Sequence, residues 1–73
     1  MRKYRIYLHF AKGEPAELAA EVTCYLSRAL ELADDMAFDT GRFCISYVVD
    51  VEAKRVMEWS DLYYQETPPG EMF

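Results

Sequence analysis

The feature that most constrains this chain is a long amphipathic stretch between Pro15 and Ala37. Apolar residues recur there at spacings of three and four, which is the repeat of an α-helix with one buried face. Pro15 suits the first helical position, where its missing N–H costs no hydrogen bond. We therefore expect one helix over residues 15–36. Its apolar arc consists of Leu18, Ala19, Val22, Tyr25, Leu26, Ala29, Leu30, Leu32, Ala33, Met36 and Ala37.

The opposite side of this predicted helix is acidic. Its carboxylates recur at spacings of four and seven, which aligns them in one stripe. One interpretation is an ordinary solvated face, and the other is a surface that binds a basic partner by resembling nucleic-acid phosphates. The candidate residues on this acidic helix face are Glu17, Glu21, Arg28, Glu31, Asp34 and Asp35.

The C-terminal end of the predicted helix carries charges of the unfavourable sign. Glu31, Asp34 and Asp35 lie where the helix dipole is negative and cations are preferred. Either the helix ends near Ala33 and the two aspartates begin a loop, or the acidic end is retained for a partner. The sequence leaves both alternatives open.

Three other segments have strand character. Residues 3–11 alternate between polar and apolar side chains, and residues 42–51 are rich in β-branched and aromatic residues. A short polar link leads to a third strand over residues 55–63, which predicts a hairpin. Pro68, Pro69 and Gly70 predict an irregular tail over residues 65–73.

The element order predicts a single α+β domain over residues 1–73. We expect β-α-β-β, with one long helix on one face of a three-stranded mixed sheet. A helix between two strands favours a right-handed crossover that leaves those strands parallel. The third strand lies either between the other two or beside the second.

One helix covers only one face of such a sheet, so the other face is predicted to meet solvent, the tail or a second molecule. Strand alternation predicts which residues face the helix: Tyr4, Ile6, Leu8, Phe10, Ile45, Tyr47, Val49, and either Met57 with Trp59 or Val56. It places on the open face Arg5, Tyr7, His9, Cys44, Ser46 and Val48. Alternatively, Leu62, Tyr63, Tyr64 and Phe73 fold back over this patch.

Composition excludes some functions. The hydrophobic fraction of 52% supports a folded core, and the net charge of −5 disfavours general binding to nucleic acid or an anionic membrane. No stretch is long and apolar enough to span a bilayer, and no targeting segment is apparent. Two cysteines without a metal or disulfide pattern predict a cytoplasmic protein with no metal and no cofactor.

Three further features of the sequence bear on catalysis or nucleic-acid binding: a His/Cys pair, a single cysteine on the helix and the aromatic residues of the open face. His9 beside Cys44 could form a nucleophile and base, but no third group orients them. Cys24 falls on the polar side of the predicted helix and is either an exposed thiol without a function or a reactive one. Another hypothesis is that aromatic residues on the open face stack on the bases of single-stranded nucleic acid, while nearby cations contact its phosphates. These cations are Arg5, Arg42, Lys54 and Arg55. The acidic net charge of the chain argues against this hypothesis.

We therefore expect a small acidic, non-enzymatic module that binds another protein with a basic surface. Such a module could inhibit host nucleic-acid machinery, in the manner of the small proteins that phages and mobile elements encode, anti-CRISPR proteins among them. The alternative is a structural homodimer whose open sheet faces pack together. We expect the protein-binding module to use the acidic helix face, the open sheet face or both.

Overall fold

The computed structural model describes residues 1–62. Within this range, one helix packs on one face of a four-stranded antiparallel sheet, so the predicted α+β class is confirmed. The elements are β1 (Arg2–His9), β2 (Glu17–Cys24), α1 (Leu26–Asp39), β3 (Ile45–Asp50) and β4 (Arg55–Met57). The predicted tail over residues 65–73 lies outside the described residues.

The predicted helix over residues 15–36 is wrong in its first half. Residues Glu17–Cys24 form strand β2, which pairs with β1 so that Val22 lies opposite Tyr4 and Ala20 opposite Ile6. Ala20, Val22 and Cys24 alternate with Glu21 and Thr23, so this segment has a period of two as well as one of 3.6. Pairing with β1 decides between the two periods.

Helix α1 begins one residue after β2 and continues to Asp39. Tyr25 is its N-cap in an extended conformation, and its carbonyl accepts the N–H groups of Arg28 and Ala29 at 3.1 Å. The helix therefore includes Asp34 and Asp35, and the alternative in which it ends near Ala33 is wrong.

The sheet order is β2-β1-β3-β4, and every neighbouring pair is antiparallel. The prediction of a three-stranded mixed sheet with the order β-α-β-β is thus wrong in detail, because it lacks β2. Helix α1 still joins two strands of the same direction, β2 and β3, with β1 between them. The predicted hairpin is present as β3 and β4, although β4 is only Arg55–Met57.

The side of the sheet under α1, here called the covered face, forms the core. Tyr4, Ile6 and Val48 are at most 1% exposed. The buried members of the core cluster are Tyr4, Ile6, Leu26, Ala29, Leu30, Ala33, Val48 and Met57. The predicted inward positions Tyr4, Ile6 and Leu8 are confirmed. Of the two alternatives for the last strand, Met57 is buried and Val56 is 51% exposed, but Trp59, which was predicted to face inward with Met57, is 49% exposed.

One charged side chain is buried with this core. Asp50 is 1% exposed and accepts hydrogen bonds from Arg2 Nε at 2.7 Å and from the backbone N–H groups of Glu52 and Ala53 at 3.0 Å. The Arg2 hydrogen bond is the main reason why the pKa of Asp50 lies below its ordinary value. Asp50 thus joins the start of β1 to the turn between β3 and β4.

No helix among residues 1–62 is long and apolar enough to cross a membrane.

Candidate binding surfaces

The outer side of α1 carries four exposed residues at helical spacings of three, four and seven, which places them on one face. We call this set the acidic ridge, and its members are Glu31, Asp34, Asp35 and Phe38. Phe38 is 87% exposed although it is a large apolar residue. The helical spacing places it between Asp34 and Asp35. This helix face therefore combines an exposed aromatic ring with carboxylates.

The charges of α1 oppose its dipole. Its first turn contains no acidic residue and its last turn no basic residue, whereas Asp35 and Asp39 lie near its negative end. The C-cap residue Thr40 donates its hydroxyl hydrogen to the carbonyl of Ala37 at 2.8 Å, which adds no positive charge. The helix therefore tolerates an unfavourable charge arrangement that acidic-to-neutral substitutions would relieve.

The carboxylates of the acidic ridge differ in their partners. Arg28 Nη1 lies 3.7 Å from a Glu31 oxygen, with both side chains about 60% exposed. Among the described residues, Asp34 and Asp35 form no salt bridge. Two carboxylates beside Phe38 are therefore available to cations of another molecule.

The structure separates Glu17 and Glu21 from this ridge, because both lie on β2. Glu21 accepts a hydrogen bond from Arg5 Nε at 2.7 Å and lies 3.8 Å from Lys3 Nζ. The Arg5 hydrogen bond is the main cause that lowers the pKa of Glu21. The predicted six-residue acidic helix face is consequently wrong as a single surface.

The side of the sheet opposite α1 is the open sheet face. Paired positions share a side, so Arg5, Tyr7 and His9 of β1 lie there as predicted. The face comprises Lys3, Arg5, Tyr7, His9, Leu18, Glu21, Thr23, Ile45, Tyr47, Val49 and Val56.

The predicted positions of the β3 side chains are wrong by one residue. Ser46 lies opposite Leu8 and Val48 opposite Ile6, so both are on the covered face, and Val48 is fully buried. Their neighbours Ile45, Tyr47 and Val49 are on the open sheet face instead of facing α1. A shift of one position in the assumed alternation exchanges the two faces of a whole strand.

An apolar strip crosses the open sheet face. The rings of Tyr7 and Tyr47 stack with centroids 5.8 Å apart and an interplanar angle of 24°. Leu18 lies beside Tyr7 on β2 and is 55% exposed. Ile45 and Val56 are 61% and 51% exposed on the same side. The residues predicted to fold back over this face, apart from Leu62, lie outside the described residues, and Leu62 packs against the core.

His9 and Cys44 line one shallow cleft but have separate polar contacts. One ring nitrogen of His9 lies 2.8 Å from the carbonyl oxygen of Glu14. Cys44 Sγ lies 3.6 Å from the carbonyl oxygen of Ala37. Cys24 is half-buried against the core, which corrects its predicted position on a polar helix face. Residues 1–62 contain no group of three or more His, Cys, Asp or Glu residues placed to hold a metal ion.

The cations considered for nucleic-acid binding are mostly engaged or far apart. Arg55 forms a salt bridge with Asp61 at 2.7 Å, and Arg42 stacks 4.2 Å from the centre of the Phe10 ring. Lys54 occupies the turn between β3 and β4 with a φ of 56°. Arg5 contacts Glu21 on the open sheet face. These four side chains therefore do not form one basic groove.

Sequence reasoning missed Phe38 as a surface residue. Its position seven residues after Glu31 and four after Asp34 was the available signal, because residues at those spacings share a helix face.

Comparison with protein-family models, with characterised proteins and with solved structures finds no significant match to this chain.

Proposed function

We propose that this protein is a non-enzymatic module that binds another protein through the acidic ridge. The observation that carries the proposal is Phe38, which is 87% exposed beside carboxylates that have no partner among the described residues. An exposed aromatic anchor within a charged rim is typical of an interface centre. The occupant is a protein with a basic surface, because cationic side chains complement the carboxylates of Asp34 and Asp35.

The unfavourable helix charges also support this proposal. Each carboxylate near the negative end of an exposed helix costs about 0.3–1 kcal/mol. A small domain has only on the order of 5–10 kcal/mol of stability to lose. Asp34 and Asp35 form no salt bridge within residues 1–62, and their charges oppose the helix dipole. Neutralisation by a cationic partner explains why the helix carries them.

The finer form of the proposal is inhibition of a nucleic-acid-handling protein. Carboxylates on one helix face occupy a groove that otherwise binds phosphates, so the module competes with nucleic acid for its partner. We include in this narrower proposal that the protein is encoded by a phage or mobile element and acts in the cytoplasm. Free thiols at Cys24 and Cys44 are compatible with a reducing compartment.

The experiment is affinity capture with charge-matched variants. Wild-type protein, Glu31→Lys with Asp35→Lys, and Glu14→Lys with Glu17→Lys are immobilised and exposed to lysate of the source cells or their host. Both variants change the net charge equally, but only the first changes the acidic ridge. We expect a basic protein that the wild type and the Glu14/Glu17 variant retain and the ridge variant loses. Phe38→Ser is expected to lose it too.

If no captured protein distinguishes the two variants, the acidic ridge is not the binding surface. For a protein that does, added nucleic acid is expected to displace it from the wild-type module. Capture that is insensitive to nucleic acid would contradict inhibition by competition while leaving the binding proposal intact.

A second candidate function, a homodimer through the open sheet face, is favoured by the apolar strip of Leu18, Tyr7 and Tyr47. Two strands of eight residues, one of six and one of three, at about 3.3 Å per residue and about 4.8 Å apart, present on the order of 400 Å². A standard interface buries about 800 Å² on each partner, so we expect only a weak dimer. Sedimentation velocity over a concentration series tests this, with Tyr47→Lys expected to abolish association and Glu17→Lys to preserve it.

We include in the proposal that the protein is not an enzyme. The support is that His9 contacts the Glu14 carbonyl, while Cys44 contacts the carbonyl of Ala37 at the end of α1. Neither arrangement supplies a nucleophile with a base and an orienting group.

A further inference from the structure

A groove of about 380 Å³ lies where α1, β3 and β4 meet, beside the acidic ridge, and Ser46, Tyr47 and Val48 of β3 are part of its lining. Leu30 and Ala33 from α1 and Met57 from β4 line it, and each is at most 5% exposed. Asp34 lines the same groove and also belongs to the acidic ridge. The ridge and the groove are therefore one continuous surface. This inference rests on the proposed function.

The opposite side of the groove is formed by Glu58 and Trp59. A compact turn holds them: the Glu58 N–H donates to Asp61 Oδ2 at 2.7 Å, and the Asp61 N–H donates to the Glu58 carbonyl at 2.9 Å. Arg55 fixes Asp61 through a 2.7 Å salt bridge. Trp59 is 49% exposed and is thus presented on a turn that is already ordered.

The lining residues combine three chemical properties. The buried side chains provide an apolar base, Trp59 provides an aromatic face, and Asp34 and Glu58 provide exposed carboxylates. Neither carboxylate forms a salt bridge within the described part of the chain. An arginine matches all three, because its stem is apolar, its planar guanidinium stacks on indole and its N–H groups bind carboxylates.

We propose that this groove binds one arginine side chain of the basic partner. The aliphatic stem lies on Leu30, Ala33 and Met57, and the guanidinium lies against Trp59 with hydrogen bonds to the carboxylates of Asp34 and Glu58. Lysine fits less well, since its ammonium neither stacks as a plane nor forms paired parallel hydrogen bonds. The acidic ridge then contacts the residues that flank this arginine.

Trp59 is the single tryptophan of the chain, so its emission reports on the groove alone. The probe is a short glycine peptide that carries three arginines and has acetylated and amidated ends. Trp59 emission of the full chain is followed during titration with this peptide, and anisotropy of a labelled copy measures total binding. Matched peptides replace arginine by lysine or by uncharged citrulline.

We expect saturable binding with the same Kd by both signals, and weaker binding of the lysine and citrulline peptides. Asp34→Asn is expected to weaken binding about tenfold, the equivalent of one charge-assisted hydrogen bond. Asp39→Asn is the matched control, because it removes the same charge from the same helix outside both the groove and the acidic ridge. It is expected to weaken binding by less than about twofold to threefold, as for a screened surface charge.

Four results would overturn the groove proposal. Equal losses for Asp34→Asn and Asp39→Asn would show that binding follows the net charge of α1 and not the groove. Binding by anisotropy without any change in Trp59 emission would place the peptide on the ridge alone and leave the proposed function standing. Strong protection of Trp59 from acrylamide in the free protein would show that the groove is already occupied. Absence of binding by either signal would overturn the groove proposal, whereas the capture experiment decides whether the acidic ridge binds a protein.

Discussion

The acidic ridge and the open sheet face are both exposed, but their charges are arranged differently. On the open sheet face, Glu21 accepts a hydrogen bond from Arg5 at 2.7 Å and lies near Lys3, so these charges neutralise one another within the fold. On the acidic ridge, Asp34 and Asp35 form no salt bridge among residues 1–62 and lie toward the negative end of α1. Paired charges support the fold, whereas unpaired charges against a dipole weaken it. This difference is the reason why we propose the acidic ridge as the binding surface.

The largest effect is expected from two substitutions that test whether the open sheet face is exposed to solvent. Val48 and Val49 are adjacent in β3 and lie on opposite sides of the sheet. Val48→Ala opens a cavity beneath α1 and is expected to cost about 2–3 kcal/mol of unfolding free energy. Val49→Ala is expected to cost less than about 1 kcal/mol, mainly through strand propensity. Urea unfolding measures both, and equal costs would mean that Val49 also belongs to a packed core.

A slightly smaller effect is expected at Asp50, where a paired charge is buried. Asp50→Asn weakens the Arg2 hydrogen bonds and is expected to cost about 2 kcal/mol at neutral pH, since hydrogen bonds to charged groups contribute most. Because Arg2 and the turn N–H groups lower the pKa of Asp50, the folded protein binds this proton less readily than the unfolded chain.

The sign of the pH dependence follows from that difference. Asp50 stabilises the fold above its ordinary pKa of 3.8, and this contribution is lost as the pH falls below that value toward the depressed folded pKa. Urea unfolding between neutral and acidic pH is expected to show a shallower decline for Asp50→Asn than for the wild type. A parallel decline in both proteins would mean that Asp50 is not coupled to the fold in this way.

The smallest effect is expected for the paired charges of the open sheet face. Glu21→Gln removes the carboxylate that binds Arg5 and is expected to lower the melting temperature slightly, with the difference vanishing in high salt. Glu17→Gln is the matched control on the same strand and should change nothing, because Glu17 has no salt bridge within the described range. A stabilised Glu21→Gln variant would contradict the assignment of these charges to the fold.

The sequence predicted elements with one dominant period and failed where two periods coincide. β1 has a single consistent pattern and is confirmed within two residues at each end. Leu26–Met36 is helical as predicted, although the helix begins eleven residues later and ends three residues later than expected. Residues 17–24 satisfy the helical period through Leu18 and Val22 and the strand period through Ala20, Val22 and Cys24. Only the free edge of β1 decides between them, and that is a tertiary contact.

The candidate surfaces were predictable to the same degree. The ridge members Glu31, Asp34 and Asp35 follow from helical spacing, and Arg5, Tyr7 and His9 follow from alternation in β1. The β3 positions were wrong because the side that a residue occupies depends on register with β1, which no local pattern specifies. The groove brings α1 together with a turn more than twenty residues later in the chain, so it is visible only in the fold.

Stability and peptide binding, measured on one variant, test whether the aspartates of α1 are retained for a basic partner. Asp34→Asn, Asp35→Asn and Asp39→Asn together remove the charges that oppose the dipole of α1. We expect an unfolding free energy higher by about 1 kcal/mol and binding of the arginine peptide weakened at least about tenfold. A variant that is less stable than the wild type, or one that binds the peptide equally well, would contradict the claim that these carboxylates are retained for a basic partner.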